Sequence, residues 1–440
     1  MTLTTKKTVM MNGIEPRQPN VIELLKERGF IEDMTSEDIS KIVDTPVKVY
    51  VGFDPTADSL HVGNLVAIMG LAWFQRLGHS PVAIIGGATG MVGDPSGKNS
   101  ERQLLDHDII QQNLNGIRKN LEKVLDFDES NCRAIILNNY NWFKEFGFIQ
   151  FLRDIGKHFR VGPMLAKESV RSRLNSEEGM SFTEFSYQLL QGYDFLHLFD
   201  EHGVTFQMGG SDQWGNITAG TELIRKVRGK TCYGVTFPLL TRSDGKKFGK
   251  SEEGTIWLSP ERLSPFEFYQ YFIRMPDADV IKMMCLLTFM DMREIRQYEN
   301  AMREEGYVPN TSQKRLAEEV TRIVHGEEGM KTAIRVTDGV KPGSETELDG
   351  DMLEGLSKDM PNANLSLNEV EGCKYIDVAV KAGLLSSKSE GRRLIRNGGA
   401  YLNNVKVDDE DLTLSKGHFI EGRLLLLGSG KKKKVIVRLV

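Results

Sequence analysis

Three short stretches of the 440-residue chain combine ionisable and glycine residues in ways that suit phosphate chemistry. In the first, Tyr50-Val51-Gly52-Phe53-Asp54-Pro55-Thr56-Ala57-Asp58-Ser59-Leu60-His61-Val62-Gly63-Asn64, an apolar strand breaks at Asp-Pro and runs into a helix starting near Leu60. Polar groups then sit at a helix N-terminus, where unpaired N–H groups and the positive dipole end attract anions. His61 and Asn64, three apart, share a face, and Gly63 between them lets a flat base approach the backbone. In the second stretch, Gly86-Gly87-Ala88-Thr89-Gly90 follows an apolar strand directly, with Asp94, Lys98 and Arg102 shortly after. It is not a P-loop, because no Gly-Lys-Ser/Thr ends it, and its glycines do not follow the dinucleotide fingerprint. Asp94 nevertheless stands at the carboxyl edge of a sheet, where doubly wound folds place ligands. In the third, Asp244-Gly245-Lys246-Lys247-Phe248-Gly249-Lys250-Ser251, glycines supply flexibility and lysines supply charge, as a phosphate clamp requires. Taken singly, each stretch also has an ordinary reading: a surface His and Asn, a tight turn, a solvated lysine loop.

Periodicity indicates the elements that position these stretches. Val47 to Phe53, Pro81 to Ile85 and Arg133 to Leu137 read as buried strands, and Leu65 to Leu77 is apolar at helical spacing. Strand, helix, strand in that order predicts an α/β fold with a doubly wound parallel, Rossmann-like sheet in a first domain over 21–254. Before the sheet, Val21, Ile22, Leu24 and Leu25 suggest a short helix ending at Gly29, and Thr35 with Asp38 suggests the capped start of a second. Residues 1–20 are polar and pattern-poor and read as a flexible extension, in which an organelle address stays open. Beyond Thr255 the strand signal stops. Ser264 and Pro265 read as N-cap and first helical residue, Phe266, Tyr269 and Ile273 recur at helical intervals, and Leu316, Val320, Ile323 and Val324 repeat the stripe up to a helix stop at Gly326. A helical domain is predicted over 255–336, a linker rich in Gly, Pro, Ser, Asp and Asn over 337–372, and a compact basic domain over 373–440.

Composition sets outer bounds. With 40 % hydrophobic and 27 % charged residues, the chain can bury a sizeable core. No apolar run is long enough to span a bilayer and the opening lacks a secretory centre, so a soluble, cytoplasmic protein away from membranes is expected. Cys132, Cys232, Cys285 and Cys373 are widely separated, which disfavours both a disulfide framework and a zinc site. Net charge is only −5, yet from Cys373 onward 14 Lys and Arg face 7 Asp and Glu, so the C-terminal segment is the candidate for binding a polyanion.

From Tyr50 to Ser251 the chain resembles class I aminoacyl-tRNA synthetases. His61-Val62-Gly63-Asn64 stands at the place of their first signature (HIGH) and Lys247-Phe248-Gly249-Lys250-Ser251 at that of their second (KMSKS). Tyr50 through His61, the GGATG turn with Asp94, Tyr187-Gln188-Leu189-Leu190-Gln191-Gly192-Tyr193-Asp194 and Gly209-Gly210-Ser211-Asp212-Gln213-Trp214-Gly215-Asn216 look like the tyrosyl branch, of bacterial and organellar type. Lys388 to Ile395 and Gly398 to Asn403 are similar to the small α+β RNA-binding module of ribosomal protein S-four. The resemblance implies a tyrosine–tRNA ligase. L-Tyrosine attacks the α-phosphate of ATP through its carboxylate, pyrophosphate leaves, and the tyrosyl group passes to the 3′ end of tRNA(Tyr). It also implies Mg2+ on the ATP, no tightly bound cofactor, and a homodimer.

By the same resemblance, Thr56, His61, Gly63, Asn64 and Asp212 contact ATP, while Lys98, Arg102, Lys247 and Lys250 bind the pyrophosphate as it forms. Tyr50 and Asp194 meet the substrate phenol, Asp94, Tyr187 and Gln191 hold its ammonium, and Gln213 orients its carboxylate. Tyr187, Gln191 and Asp194 lie at i, i+4 and i+7, so one helix face can present all three. Arg392, Arg393, Arg396 and the run Lys431 to Lys434 are the candidates for RNA phosphates, beside a helical domain implied to reach the anticodon stem. The first signature commonly ends in His; Asn64 can donate a hydrogen bond but cannot be cationic, and carries less weight than His61. Tyr50 and Asp194 disfavour a tryptophan-specific relative, and retention of His61, Lys247, Lys250 and Asp194 disfavours a noncatalytic RNA-binding scaffold.

Overall fold

The computed structural model describes residues 20–96, 107–128, 132–176, 179–241, 243, 248–251, 254–339, 348–357, 360–430 and 433–440. The predicted parallel sheet forms from β1 (Lys48–Phe53), β2 (Ser80–Ile85), β3 (Ile135–Asn138), β4 (Phe206–Gly210) and β5 (Tyr233–Phe237), in the order β3-β2-β1-β4-β5 with every pairing parallel. β2 and β4 are buried almost end to end, as strands covered on both faces must be. The order reverses between β1 and β4, which opens a crevice at their carboxyl ends. Helix Val62–Arg76, which follows β1, is buried at every residue from Leu65 to Phe74 and packs on β1, β2 and β4. Two further helices, Phe182–His202 and Trp214–Arg228, lie against each other so closely that a Cβ on Gly220 would come 2.9 Å from the Phe195 ring. Phe182–His202 starts with a capping box between Ser181 and Glu184 and ends at Gly203 in the left-handed conformation.

Thr35 has a different task from the expected one. The short helix there is Ile39–Ile42, Asp38 at its N-cap makes no side-chain cap, and the Thr35 hydroxyl instead accepts the Gly234 N–H at 2.9 Å, pinning this segment to β5. After β5 come a small antiparallel hairpin, β6 (Lys250–Ser251) and β7 (Gly254–Thr255), and then helices. Ser264 does cap Pro265–Ile273: its hydroxyl accepts the Glu267 N–H at 3.2 Å, and its own N–H donates to the Glu267 carboxylate at 2.9 Å. Helices Asp277–Leu287 and Met292–Ala301 follow. Gly326, read as a stop, breaks the helical geometry with φ +75°, but helical structure resumes and runs on to Gly339.

By its contacts the chain divides into two units, one of residues to Arg262 with Ile273–Val324, the other of Leu263–Phe272 with His325–Val440. The helices over 255–336 are thus shared between the units. In the second unit, β8 (Asn362–Leu365), β9 (Ala400–Leu402), β10 (Val405–Lys406), β11 (Leu424–Ser429) and β12 (Lys433–Leu439) form a sheet in the order β10-β9-β11-β12-β8. Helices Tyr375–Lys381 and Lys388–Arg396 supply the core on one face, giving an α+β fold. The segment expected as linker is structured where it is described. Met352, Leu353 and Leu356 of helix Gly350–Leu356 are buried against Leu424, Leu426 and Ile436, and β8 pairs in parallel with β12. Its polar composition hid three apolar residues at helical spacing.

Candidate active site

A cleft of about 710 Å³ opens where the strand order reverses, at the ends of β1 and β4. His61, Gly63 and Asn64 line it from the first signature and Thr56 from just before it, Tyr187, Gln191 and Asp194 from helix Phe182–His202, and Tyr50, Asp94, Asp212 and Gln213 complete it. The structure therefore gathers eleven sequence-assigned residues from segments far apart in the chain around one space.

His61 is the N-cap of helix Val62–Arg76. Its Nδ1 accepts the Gly63 N–H at 3.0 Å, and its backbone N–H donates to Asn64 Oδ1 at 3.1 Å, closing a capping box. Because Nδ1 acts as acceptor, the neutral ring carries its proton on Nε2. Asn64 is thereby fixed by its oxygen, which leaves its amide hydrogens as the donors it can offer. A Cβ on Gly63 would lie 2.8 Å from the His61 ring, so a side chain there would push that ring out of its capping position. Gly249 of the second signature takes φ +81°, and a Cβ on it would lie 3.1 Å from Val62 and 3.4 Å from the Gly63 nitrogen. The two signatures thus meet at the start of one helix. Sequence reasoning passed over the brace behind them: Val62 N–H donates to Ile256 O at 2.8 Å, Leu258 N–H to Leu60 O at 2.9 Å, and Arg262 stacks 4.7 Å over Trp257 while pairing with Asp58.

Asp94 is buried, and one carboxylate oxygen accepts from Gln213 Nε2 at 2.7 Å while the other accepts the Ser96 N–H at 3.0 Å. Gln213 Oε1 in turn accepts from Gln191 Nε2 at 3.3 Å and Asn216 Nδ2 at 3.1 Å. Tyr187 donates its hydroxyl toward Asp54, 3.4 Å from both oxygens. Asp54 received no role from the sequence, although it ends the strand that carries Tyr50. A Cβ on Gly86 would lie 2.5 Å from Asp54 Oδ1, so the glycine-rich turn makes room for this carboxylate as well as reversing the chain.

At the inner end, Asp194 is 4 % exposed and accepts from Trp142 Nε1 at 2.8 Å and Asn139 Nδ2 at 3.1 Å. Burial pushes its pKa up to about 7; the two hydrogen bonds pull it down and the Asp54 charge adds to the rise. Tyr50, 1 % exposed, packs edge-on against Phe195 and holds a buried hydroxyl with no hydrogen-bond partner among the described residues. Burial, then the Asp194 charge, raises its pKa well above 10. Asn139 and Trp142 were also missed. They follow the carboxyl end of β3, the position that the crevice rule itself points to.

Lys98, Arg102 and Lys247 lie outside the described residues, and of Lys250 only the backbone, in β6, is described. Arg392 and Arg393 are exposed on helix Lys388–Arg396, whereas Arg396 pairs with Glu410 at 2.6 Å. Lys431 and Lys432 lie outside the described residues and Lys433 is exposed. Lys434 is 8 % exposed, and burial brings its pKa down to about 8, so of the run read as candidates for RNA phosphates it is withdrawn from the surface. Among the described residues no group of three or more His, Cys, Asp or Glu could hold a metal ion, and no helix is long and apolar enough to cross a membrane.

Fold and cleft together define a class I tRNA synthetase of the tryptophan and tyrosine kind: the family model "tRNA synthetases class I (W and Y)" matches residues 43–340. A second model, for the C-terminal domain of SYY-like tyrosine–tRNA ligases, matches residues 351–437. The chain is 65 % identical over 421 residues to a tyrosine–tRNA ligase of Protochlamydia amoebophila, covering 96 % of this chain and 99 % of that one. It is 53 % identical over 429 residues to a chloroplastic/mitochondrial tyrosine–tRNA ligase of Arabidopsis thaliana, covering 96 % of this chain and 84 % of that one. A C-terminally truncated mitochondrial tyrosyl-tRNA synthetase of Aspergillus nidulans superposes with a TM-score of 0.63 at 30 % identity, covering 71 % of this chain and 92 % of that one. The chain belongs to the tyrosine–tRNA ligases, and its activity is the ATP-dependent joining of tyrosine to tRNA.

Proposed function

We propose that the cleft performs this reaction with the substrate phenol seated between Tyr50 and Asp194. The observation that carries the assignment is the buried Tyr50 hydroxyl, unpartnered among the described residues, beside a buried carboxylate already held by Asn139 and Trp142. Two buried polar groups arranged in this way need a ligand that both donates and accepts, and a phenol does both. The linked amides of Gln191 and Gln213 with Asp94, and Tyr187 over Asp54, form a polar wall for the ammonium and carboxylate. ATP then lies along the first signature, where His61 Nε2–H, the Asn64 amide, Thr56 and Asp212 face its phosphates and ribose. Gly63, bare of a side chain, meets the adenine side. Mg2+ arrives on the triphosphate as part of the substrate.

The nucleophile is the tyrosine carboxylate, so the protein supplies alignment and compensating charge instead of a covalent intermediate. Lys98, Arg102, Lys247 and Lys250 are the cations for the departing pyrophosphate. Groups that engage only as that charge develops raise the rate more than they tighten substrate binding. For tRNA, exposed Arg392 and Arg393 supply phosphate contacts. Phe148, Ile149, Val161 and Phe182 are each more than half exposed, an apolar set within 148–182 that favours a second copy of the chain as partner. The likeness to a bacterial and to a chloroplastic/mitochondrial ligase supports the cytoplasm or an organelle as its place. The test is amino-acid-dependent exchange of pyrophosphate into ATP with wild type and Asp194→Ala. Tyrosine-dependent exchange that collapses in the variant supports the seating, whereas equal use of tyrosine and phenylalanine by wild type sinks it.

A further inference from the structure

Asp279 is 5 % exposed, is not among the residues that line the cleft, and stands in the first turn of helix Asp277–Leu287. A buried carboxylate is retained at a large desolvation cost unless donors meet it. Among the described residues, its side-chain partners are on one residue, Ser243. Both oxygens accept the Ser243 N–H at 3.1 Å, and one also accepts the Ser243 hydroxyl at 3.0 Å. Ser243 is the residue immediately before Asp244-Gly245-Lys246-Lys247. At the other end of that stretch Gly249 is fixed on the helix that begins after His61, through its close approach to Val62 and through its carbonyl, which accepts the Ile256 N–H at 2.9 Å.

The helix that bears Asp279 is itself held firmly. It packs on Val62–Arg76, and at its far end the buried Arg28 guanidinium donates to the carbonyls of Cys285, Thr288 and Met290 at 2.7 to 2.9 Å. Near its start, Gln313 Nε2 donates to the Met275 carbonyl at 3.3 Å. One rigid helix therefore touches the element that starts at the first signature and grips the chain at the entrance to the second.

We propose that Asp279 is a positioning residue for the lysine stretch, setting where the chain enters it and so where Lys247 and Lys250 can act. This rests on the reading of those lysines as the pyrophosphate cations. Asp279→Ala is expected to lower kcat for tyrosine-dependent pyrophosphate exchange about 10- to 100-fold, as small misplacements of charged groups do. KM for tyrosine stays within about twofold, the pattern of a lost transition-state contact. Asp279→Asn recovers most of the rate, because its amide oxygen still accepts the Ser243 N–H. Trypsin cleavage after Lys246 or Lys247 in the ligand-free protein, mapped by mass, speeds up in Asp279→Ala and returns toward wild type in Asp279→Asn. If Asp279→Ala fails to fold, Ser243→Ala decides: it removes one of the bonds and shows a smaller loss of kcat at unchanged KM. An unchanged kcat in the variants, a rise in KM matching the fall in kcat, or cleavage no faster than wild type overturns the proposal. Lys247→Ala separates the two ideas: full activity there ends the pyrophosphate reading, while the cleavage rates still judge the Asp279 anchor.

Discussion

Tyr50 carries opposite consequences for the free and the occupied protein. Its hydroxyl is buried without a partner among the described residues, so Tyr50→Phe is expected to raise the thermal midpoint of the free protein, by up to roughly 1–3 kcal/mol of stability. Tyrosine affinity falls at the same time by roughly 3- to 10-fold, the worth of one neutral hydrogen bond. Calorimetric melting and equilibrium dialysis on the same preparations check both directions. Asp194 makes the site sensitive to pH. Burial lifts its carboxyl from 3.8 to about 7, so between those values the folded chain holds a proton that the unfolded chain releases. Stability contributed by that proton is complete below pH 3.8 and is lost as pH rises through about 7; Asp194→Asn should flatten this slope in urea titrations. Tyrosine binding should move the other way and strengthen up to about pH 7, because the ionised carboxylate is the better acceptor for the phenol. These two residues were legible in the sequence because each lies in a local motif, and the helical period placed Tyr187, Gln191 and Asp194 on one face. Asn139 and Trp142, which hold Asp194, were not, since they come from the end of β3, more than fifty residues away, and only the folded sheet brings them in.

Among the elements, helix Asp277–Leu287 shows how one long-range side chain can replace a local cap. It has no glycine stop, and Arg28 satisfies carbonyls at and beyond its end while stacking 4.5 Å over Trp73. Burial lowers the Arg28 pKa to about 10, still well above any working pH, so the guanidinium stays charged. Arg28→Met is expected to cost roughly 3 kcal/mol, through carbonyls left unpaired, read as a lower urea midpoint at constant m. At this scale β1, β2, β3 and the helix Val62–Arg76 were predictable from period alone, whereas β4 and β5, which complete the sheet, were not read. The errors fell on short elements with polar composition, where Thr35 bonds to a strand two hundred residues on and Leu353 and Leu356 join a core with Val336, β11 and β12.

Across the whole molecule, the cleft residues belong to the first unit and Arg392 and Arg393, proposed above for RNA phosphates, to the second, so the two proposed roles should separate experimentally. Replacing Arg392 and Arg393 together with alanine is expected to weaken tRNA binding and reduce the slope of log affinity against log salt by about two. Tyrosyl-adenylate formation without tRNA should remain at the wild-type level; filter binding across a salt series and single-turnover assays measure the pair. The strand order bears on biosynthesis as well. β1 pairs with β4 in the centre of the sheet, yet some 150 residues lie between them. While the ribosome is still making that stretch, the nascent chain can assemble β3, β2 and β1 only, with the inner edge of β1 bare. An apolar strand edge left waiting in this way invites pairing with other unfinished chains, so aggregation should be worst when translation stalls before Phe206 and should fade once β4 emerges.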